Sequence, residues 1–440
     1  MTADTLTDTT IPHAPTYPAH WRMVRLGDAF RFTKKPRELR LDGYAVIPFI
    51  PMEYVPIGSP VFSAYQMKAA DELTSGTYIE DGDLLVAKIT PSFENGKQGI
   101  IESLPLPFGY ATTEVIPING IPGVSDKRFL ASYLLRSGVR AALAAKMEGS
   151  TGRQRLSAST LANLKIMLPP LAEQRAIARI LRAAQNAIAA RRRQVTLERE
   201  RKAALMQRLF THGVRGEPTK QTEIGEMPQS WQVVRLGEIA DVAYGLTVNE
   251  TRRKCLRTAP YLTVANVTRG ALRLDEVKQI GMLDGDSERF RVHKGDVLLV
   301  EGNGNPKLLG SAAIWRDELP FALHQNHLIR ARPNQDVICS SWLAEYINGD
   351  DGRAQLLGRS KTSSGLQSIN SRVVSELSIP LPSLSEQREI ADILAACDAH
   401  IAALEREIAL HEELFRALLE EMMSGRLSAL LVEKTASGKA

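Results

Sequence analysis

The sequence predicts a mixed α/β (α+β) chain in which two similar globules are separated by a long antiparallel two-helix coiled coil, related by an internal pseudo-two-fold repeat. Three observations predict it. The run LPPLAEQRAIARIL at 168–181 recurs as LPSLSEQREIADIL at 381–394, an offset of 213 with 10 of 14 positions identical. Short β-rich runs punctuated by Gly, Pro and Asn precede each copy of that motif. After each copy comes a long stretch with apolar residues at intervals of seven and no internal proline.

The repeat holds upstream as well. At the same offset Gly82-Asp83-Leu84-Leu85-Val86 matches Gly295-Asp296-Val297-Leu298-Leu299, and Phe129-Leu130-Ala131 matches Trp342-Leu343-Ala344. The offset drifts to 212 at Pro48-Phe49 and Pro260-Tyr261, and to 210 where WRMVRLG at 21–27 matches WQVVRLG at 231–237. A few small insertions explain the drift. The unit duplicated in tandem is roughly 210 residues long.

In chain order, residues 1–20 are expected to be a disordered tail; they lack the basic and apolar segments of a secretory signal. Residues 21–167 form the first globule, with β-rich runs at 86–90 and 110–118 and a helical stretch at about 127–147. Proline is excluded from helix interiors, so the Pro-Pro-Leu turn starts a central helix near Leu171, within a segment spanning 168–215. A linker at 216–230 leads to the second globule at 231–380, with a strand near 297–302 and a helical stretch near 340–357. The Pro-Ser-Leu turn starts the last long helix near Leu384, within 381–430, and 431–440 is a tail.

The helices carry a seam. In the second, Leu394, Ile401, Ile408, Phe415 and Met422 fall at sevens beside Cys397, Leu404, His411 and Leu418. In the first, Leu181, Ile188, Val195, Lys202 and Leu209 stand beside Ala184, Arg191, Glu198 and Leu205, a more polar version. Residues 171–215 hold eleven basic and three acidic side chains, while 384–428 hold four basic and ten acidic ones, so the nets are +8 and −6. Opposite charge favours pairing between these two helices, and like charge disfavours a homodimer of either. With about 36 residues each, the helices are about 54 Å long. The short linker favours antiparallel pairing, with one globule expected at each end.

Composition narrows the function. The 440 residues are 44% hydrophobic and 24% charged with a net charge of +5, a globular balance whose bulk charge does not by itself argue for DNA. The three cysteines, Cys255, Cys339 and Cys397, form no C-x-x-C pair, which excludes a zinc ribbon and fits a reducing, cytoplasmic setting. No apolar run approaches the ~20 residues that span a bilayer. Catalytic signatures are missing as well: no Asn-Pro-Pro-Tyr or Asp-Pro-Pro-Tyr box, no glycine-rich cofactor fingerprint and no phosphate loop, and His324 and His327 lack a third metal ligand.

Two unlike globules on a stiff rod suit a ruler. B-DNA repeats every ~34 Å, and paired reading heads then read two half-sites across an unread gap. Clusters of cations follow each W-x-x-V-R-L-G entry: Lys34, Lys35, Arg37 and Arg40 in the first copy, Arg252, Arg253, Lys254 and Arg257 in the second. They suit phosphate neutralisation. Polar turns carry candidates for base edges: Lys88, Asn95 and Lys97 in AKITPSFENGK, with Asn303, Asn305 and Lys307 in EGNGNPK. Thr112 and Thr113 stand at the repeat position of Gln325 and Asn326, with different chemistry, as two heads reading different bases require. Arg153 and Gln154 in STGRQR, and Lys361 and Gln367 in SKTSSGLQ, complete the set.

LPPLAEQRAIARIL with LPSLSEQREIADIL, the linker KQTEIGEMPQSWQVVRLG at 220–237 and AKITPSFENGK at 87–97 together resemble the DNA-specificity subunit of type I restriction-modification systems, over about residues 20–430. The resemblance implies two target recognition domains on two spacer helices, each domain reading half of a bipartite, asymmetric site in double-stranded DNA. It implies docking of two methyltransferase (modification) subunits to give an adenine-N6 methyltransferase, and of restriction subunits to give an ATP-driven nuclease. The chain itself would then be non-catalytic and without cofactor, with S-adenosylmethionine, ATP and magnesium on its partners. On that basis Glu173, Gln174, Arg175, Glu386, Gln387 and Arg388 mark subunit docking or, equally, a helix-capping network. Two rivals stay open: a self-contained restriction or modification enzyme, and a coiled-coil scaffold with no DNA role.

Overall fold

The computed structural model describes residues 17–58, 60–150, 152–302, 308–363, 366–436 and 438. It divides into two compact units, 1–194 with 404–440 and 195–403. Most of the expected N-terminal tail therefore lies outside the described residues. The two long helices are Leu171–His212 and Leu384–Met423, 42 and 40 residues, longer than the heptad count suggested. Both begin directly after their proline turns, and each contributes one segment to each unit.

In the first unit, strand Arg22–Arg25 pairs antiparallel with Lys165–Leu168, so the globule opens and closes at one place and hands the chain to the central helix. One sheet orders Phe30–Phe32, Val115–Gly120, Leu84–Ala87, Gln98–Ile101 and Val61–Phe62. A second orders Gln66–Ala69, Val46–Ile50, Phe108–Ala111 and Thr77–Glu80. Leu84–Ala87 is buried along its whole length, which is why it reads as an unbroken apolar run rather than an alternating one. The main core joins Trp21, Leu26, Phe129, Leu130 and Ile166 to Ile177 and Leu181 of the central helix and to Leu419, Met422 and Met423 of the other.

The second unit repeats the plan. Gln232–Arg235 pairs with Ser378–Leu381, and Ala240–Tyr244, Leu328–Pro333, Val297–Val300 and Ala312–Ile314 form the matching sheet. Its core joins Trp231, Leu236, Trp342 and Leu343 to Ile390 and Leu394 and to Leu209 and Phe210. Phe210 stacks on Trp342 at 4.4 Å, and burying such a ring contributes about 2–3 kcal/mol.

Within each unit the helix segments run antiparallel. Arg191 meets Glu407 at 3.0 Å and Arg192 meets Glu412 at 2.6 Å in the first unit. Lys202 meets Asp398 at 2.7 Å in the second. The apolar seam is the buried face: Leu181, Ile188, Leu404 and Met422 in one unit, Val195, Leu209, Leu394 and Ile401 in the other.

Three expectations change. The interval 216–230 contains a hairpin, Thr219–Thr222 with Gly225–Pro228, held where Lys220 Nζ donates to the carbonyls of Gln229 and Trp231. Each single helical stretch is two helices, Lys127–Tyr133 with Ser137–Ala144 and Ser340–Asn348 with Asp350–Gly358. Gly349 begins the second of the latter pair, packed so closely that a Cβ there would lie 2.6 Å from the Met206 methyl. Finally, the C-terminal tail starts as helix Ala429–Ala436, with Ala429 in the first core and Glu433 bound to Arg179 by two bonds of 2.7 Å.

Candidate nucleic-acid interface

The E-Q-R motifs turn out to be internal fasteners. Glu173 accepts from the Trp21 indole N–H at 3.1 Å, and Glu386 accepts from the Trp231 indole at 3.1 Å. Glu173 also holds His20 at 2.9 Å, and Glu386 the Val214 backbone N–H at 3.1 Å. Gln174, fully buried, accepts from the Asp126 N–H at 2.9 Å and donates to the carbonyls of Val124 and Pro169. Gln387 makes the same three bonds to Cys339, Val337 and Pro382, every partner displaced by 213. These four side chains, three of them buried and Glu386 half-buried, bolt each helix start to its globule. Arg175 and Arg388 are exposed.

The first unit gathers three of the polar segments. The Lys88 backbone N–H donates to the Glu114 carbonyl at 2.9 Å, and the Leu156 N–H to the Lys88 carbonyl at 2.7 Å. Ile89 bridges Arg155, whose guanidinium reaches Glu114 at 2.6 Å. The Thr90 N–H donates to the Gln154 carbonyl at 3.1 Å. Segments 88–97, 112–114 and 153–155 thus share one edge. The turn between them is tied by Lys97 N–H to the Ser92 carbonyl at 2.9 Å and by Thr90 Oγ1 to Glu94 at 3.0 Å. Asn95, Thr113 and Arg153 are exposed there; Lys88, Lys97, Thr112 and Gln154 are half-buried.

The second unit builds the same junction. The Glu301 N–H donates to the His327 carbonyl at 3.0 Å, the Ile369 N–H to the Glu301 carbonyl at 2.9 Å, and Gly302 bridges Ser368. His327 Nδ1 lies 2.7 Å from Glu301. Gln325 and Asn326 are half-buried and use their backbone N–H groups on the carbonyls of Leu262 and Leu246, both at 2.9 Å. Lys361 and Gln367 stand in hairpin Lys361–Ser363 and Leu366–Ser368. Asn303, Asn305 and Lys307 lie outside the described residues.

Among the cations, Lys34, Lys35, Arg37 and Arg40 are all exposed, as are Arg253, Lys254 and Arg257, with Lys254 paired to Glu250 at 2.7 Å. Arg252 departs from the expectation. It is buried, bonded by Nη1 and Nη2 to Asp286 and by Nη1 to the Gly281 carbonyl. The pairing raises its pKa and lowers that of Asp286, so this arginine stabilises the domain and is not presented to a phosphate. The sequence reading also missed two arginines, Arg140 and Arg353, which the repeat offset of 213 would have paired.

His324 is neither ligand nor reader. It is fully buried, bonds the Phe290 carbonyl through Nδ1 at 2.8 Å, and burial lowers its pKa to about 4. Among the described residues no group of three or more His, Cys, Asp or Glu side chains is placed to hold a metal ion, and no helix is long and apolar enough to cross a membrane.

Comparison with known proteins places this architecture. A specificity subunit named for the type I restriction enzyme MjaVIII, from Methanocaldococcus jannaschii, is 25% identical over 436 residues, covering 94% of this chain and 95% of that one. The StySPI specificity subunit of Salmonella potsdam is 26% identical over 255 residues, covering 56% of this chain and 53% of its own. Among solved structures, a chain from work on complex assembly and conformational transition of the type I R-M system superposes with a TM-score of 0.58 at 21% identity, covering 94% of this chain and all of its own. The S subunit of M. genitalium gives 0.52 at 15% identity, covering 91% and 96%. The family model described as the type I restriction modification DNA specificity domain matches residues 18–199 and again 228–412, so the chain belongs to that family.

Proposed function

We propose that the chain is the sequence-reading subunit of a type I restriction-modification complex, each globule reading one half of an asymmetric bipartite site in duplex DNA. One observation carries this. The junction of three polar segments recurs at an offset of 213 with its backbone bonds intact and its side chains exchanged, Lys88 for Glu301 and Glu114 for His327. A constant frame with variable edge chemistry is what two readers of different sequences require. The exposed cations at 34–40 and at 253–257 supply phosphate contacts.

On this reading the chain does no chemistry itself. Two modification subunits dock along the long helices and carry S-adenosylmethionine for adenine-N6 methylation; restriction subunits add ATP- and magnesium-dependent cleavage, all in the cytoplasm. The helices fix the unread gap. Methylated adenines mapped in cells that express the chain with its modification subunit test the proposal. The expected result is one asymmetric two-part motif, and replacing residues 21–167 by a relative's equivalent should alter one half of it only. Both halves changing together, or methyl transfer by the purified chain alone, would sink the reading.

A further inference from the structure

We propose that Arg140 and Arg353 each clamp a phosphate of the DNA backbone, one in each globule. This rests on reading the chain as a DNA-specificity subunit, and it adds contacts that none of the cationic loops contain. The two residues are 213 apart, on helices Ser137–Ala144 and Asp350–Gly358.

Arg140 lies against the corner of the turn that carries Asn95 and Lys97. A Cβ on Gly96 would stand 2.5 Å from its Nη1 and 2.8 Å from its Cζ, so the guanidinium rests on a bare glycine. Gly96 has φ +73, which independently favours glycine. Arg353 reaches the matching corner in the second unit: its Nη1 donates at 3.0 Å to the carbonyl of Leu309, next to Gly310, which the strand register makes the counterpart of Gly96 and which has φ +68.

Each arginine is half-buried, and among the described residues no carboxylate stands within ion-pair distance of either. Burial lowers both pKa values; Arg269 repels Arg353 further, against a smaller opposing pull from Asp350. Leaving a desolvated cation without a counter-charge costs free energy, and that cost recurs at the same place in both copies. A docked anion offsets it. The planar guanidinium fork matches phosphate oxygens, and among the described residues each guanidinium makes one hydrogen bond within the fold, that of Arg140 to the Leu134 carbonyl at 3.2 Å.

The competing role is a plain cap, in which the arginines merely satisfy those carbonyls. Glutamine keeps an N–H donor without charge, whereas lysine keeps the charge. Binding of the full-length chain to a mixed-sequence duplex is measured against salt concentration for wild type, Arg140→Gln, Arg353→Gln, their double variant and the two lysine variants. The slope of log K against log salt should fall by about 0.9 for each glutamine and about 1.8 for both, with lysine retaining most of it. Wild-type binding with glutamine slopes unchanged, or lysine losing as much as glutamine, overturns the clamps. A wild-type chain that leaves the duplex unbound at low salt overturns the DNA reading itself.

Discussion

Trp21 on Glu173 and Trp231 on Glu386 are one contact made twice, whereas Arg155 on Glu114 and His327 on Glu301 are one place given opposite chemistry. The first pair lies where helix and globule join; the second lies on the edge where three polar segments meet. Duplication copied both. What has stayed alike is the joinery, since a buried Gln with three backbone partners has no substitute of the same shape and donor pattern. What has diverged carries side chains that no core depends on, and the difference separates the holding parts of the molecule from the reading parts.

If that separation is right, Gln174→Ala and Gln387→Ala should be equally harmful. Each strands one N–H and two carbonyls in a buried site. At about 1–3 kcal/mol per stranded group, with partial relaxation, the loss should be about 4 kcal/mol in either case. Denaturant unfolding of the two variants measures it. Losses that differ by several-fold would show that the two joints are alike in geometry only.

A second test makes the units differ. His324 in the second unit stands where the first has Ala111. Its pKa is about 4 in the fold against 6.5 in the unfolded chain. A depressed value means that the unfolded state takes up the proton first. Stability is therefore full above about pH 6.5, falls as pH drops towards 4, and loses about 3 kcal/mol from this group. Hydrogen exchange around 323–324 should accelerate over that window relative to wild-type-normalised exchange around 110–111, and His324→Asn should flatten the difference. Matched acid responses in both units would contradict it.

The polar seam is a third difference. Lys202 occupies the helix position held by Phe415 in the other repeat, and its ammonium reaches Glu345 at 3.1 Å and Asp398 at 2.7 Å. Burial raises the Glu345 pKa while Lys202 opposes that rise. Lys202→Met should cost about 2 kcal/mol by leaving that carboxyl without its cation. The double replacement Lys202→Phe with Glu345→Ser transplants the first unit's chemistry, Phe415 and Ser132 being the counterparts of Lys202 and Glu345. It should recover most of the loss, and thermal unfolding of both variants decides it.

The repeat, the helix starts at Leu171 and Leu384 and the buried seam were legible because proline, periodicity and self-similarity are local signals. The hairpin at 219–228 was not, since its strands alternate weakly and resemble a linker. Arg252 reads as one cation among four, and nothing near it in sequence announces Asp286, 34 residues on. Arg140 and Arg353 were hidden for the opposite reason: each is a single arginine on a helix, and only the fold brings it to the turn it supports. The junction itself was half legible. Its segments were picked out one at a time, but their meeting depends on backbone contacts between residues 26 to 68 apart.

The smallest effect concerns the charge that pairs the helices. Arg191 meets Glu407 at 3.0 Å, but both side chains remain over 40% exposed. Water screens the attraction and rotamer entropy offsets much of it, so Arg191→Ala should cost no more than about 0.5 kcal/mol, and less at high salt. A helix pair whose windows carry +8 and −6 can still depend on electrostatics for partner choice while no single bridge matters, because choice is set by the repulsion each alternative pairing would incur. The informative variant is therefore a reversal. Glu407→Arg with Glu412→Arg places like charges opposite Arg191 and Arg192, and it should destabilise several times more than Arg191→Ala does. Equal small losses from deletion and reversal would mean that the apolar seam alone selects the partner.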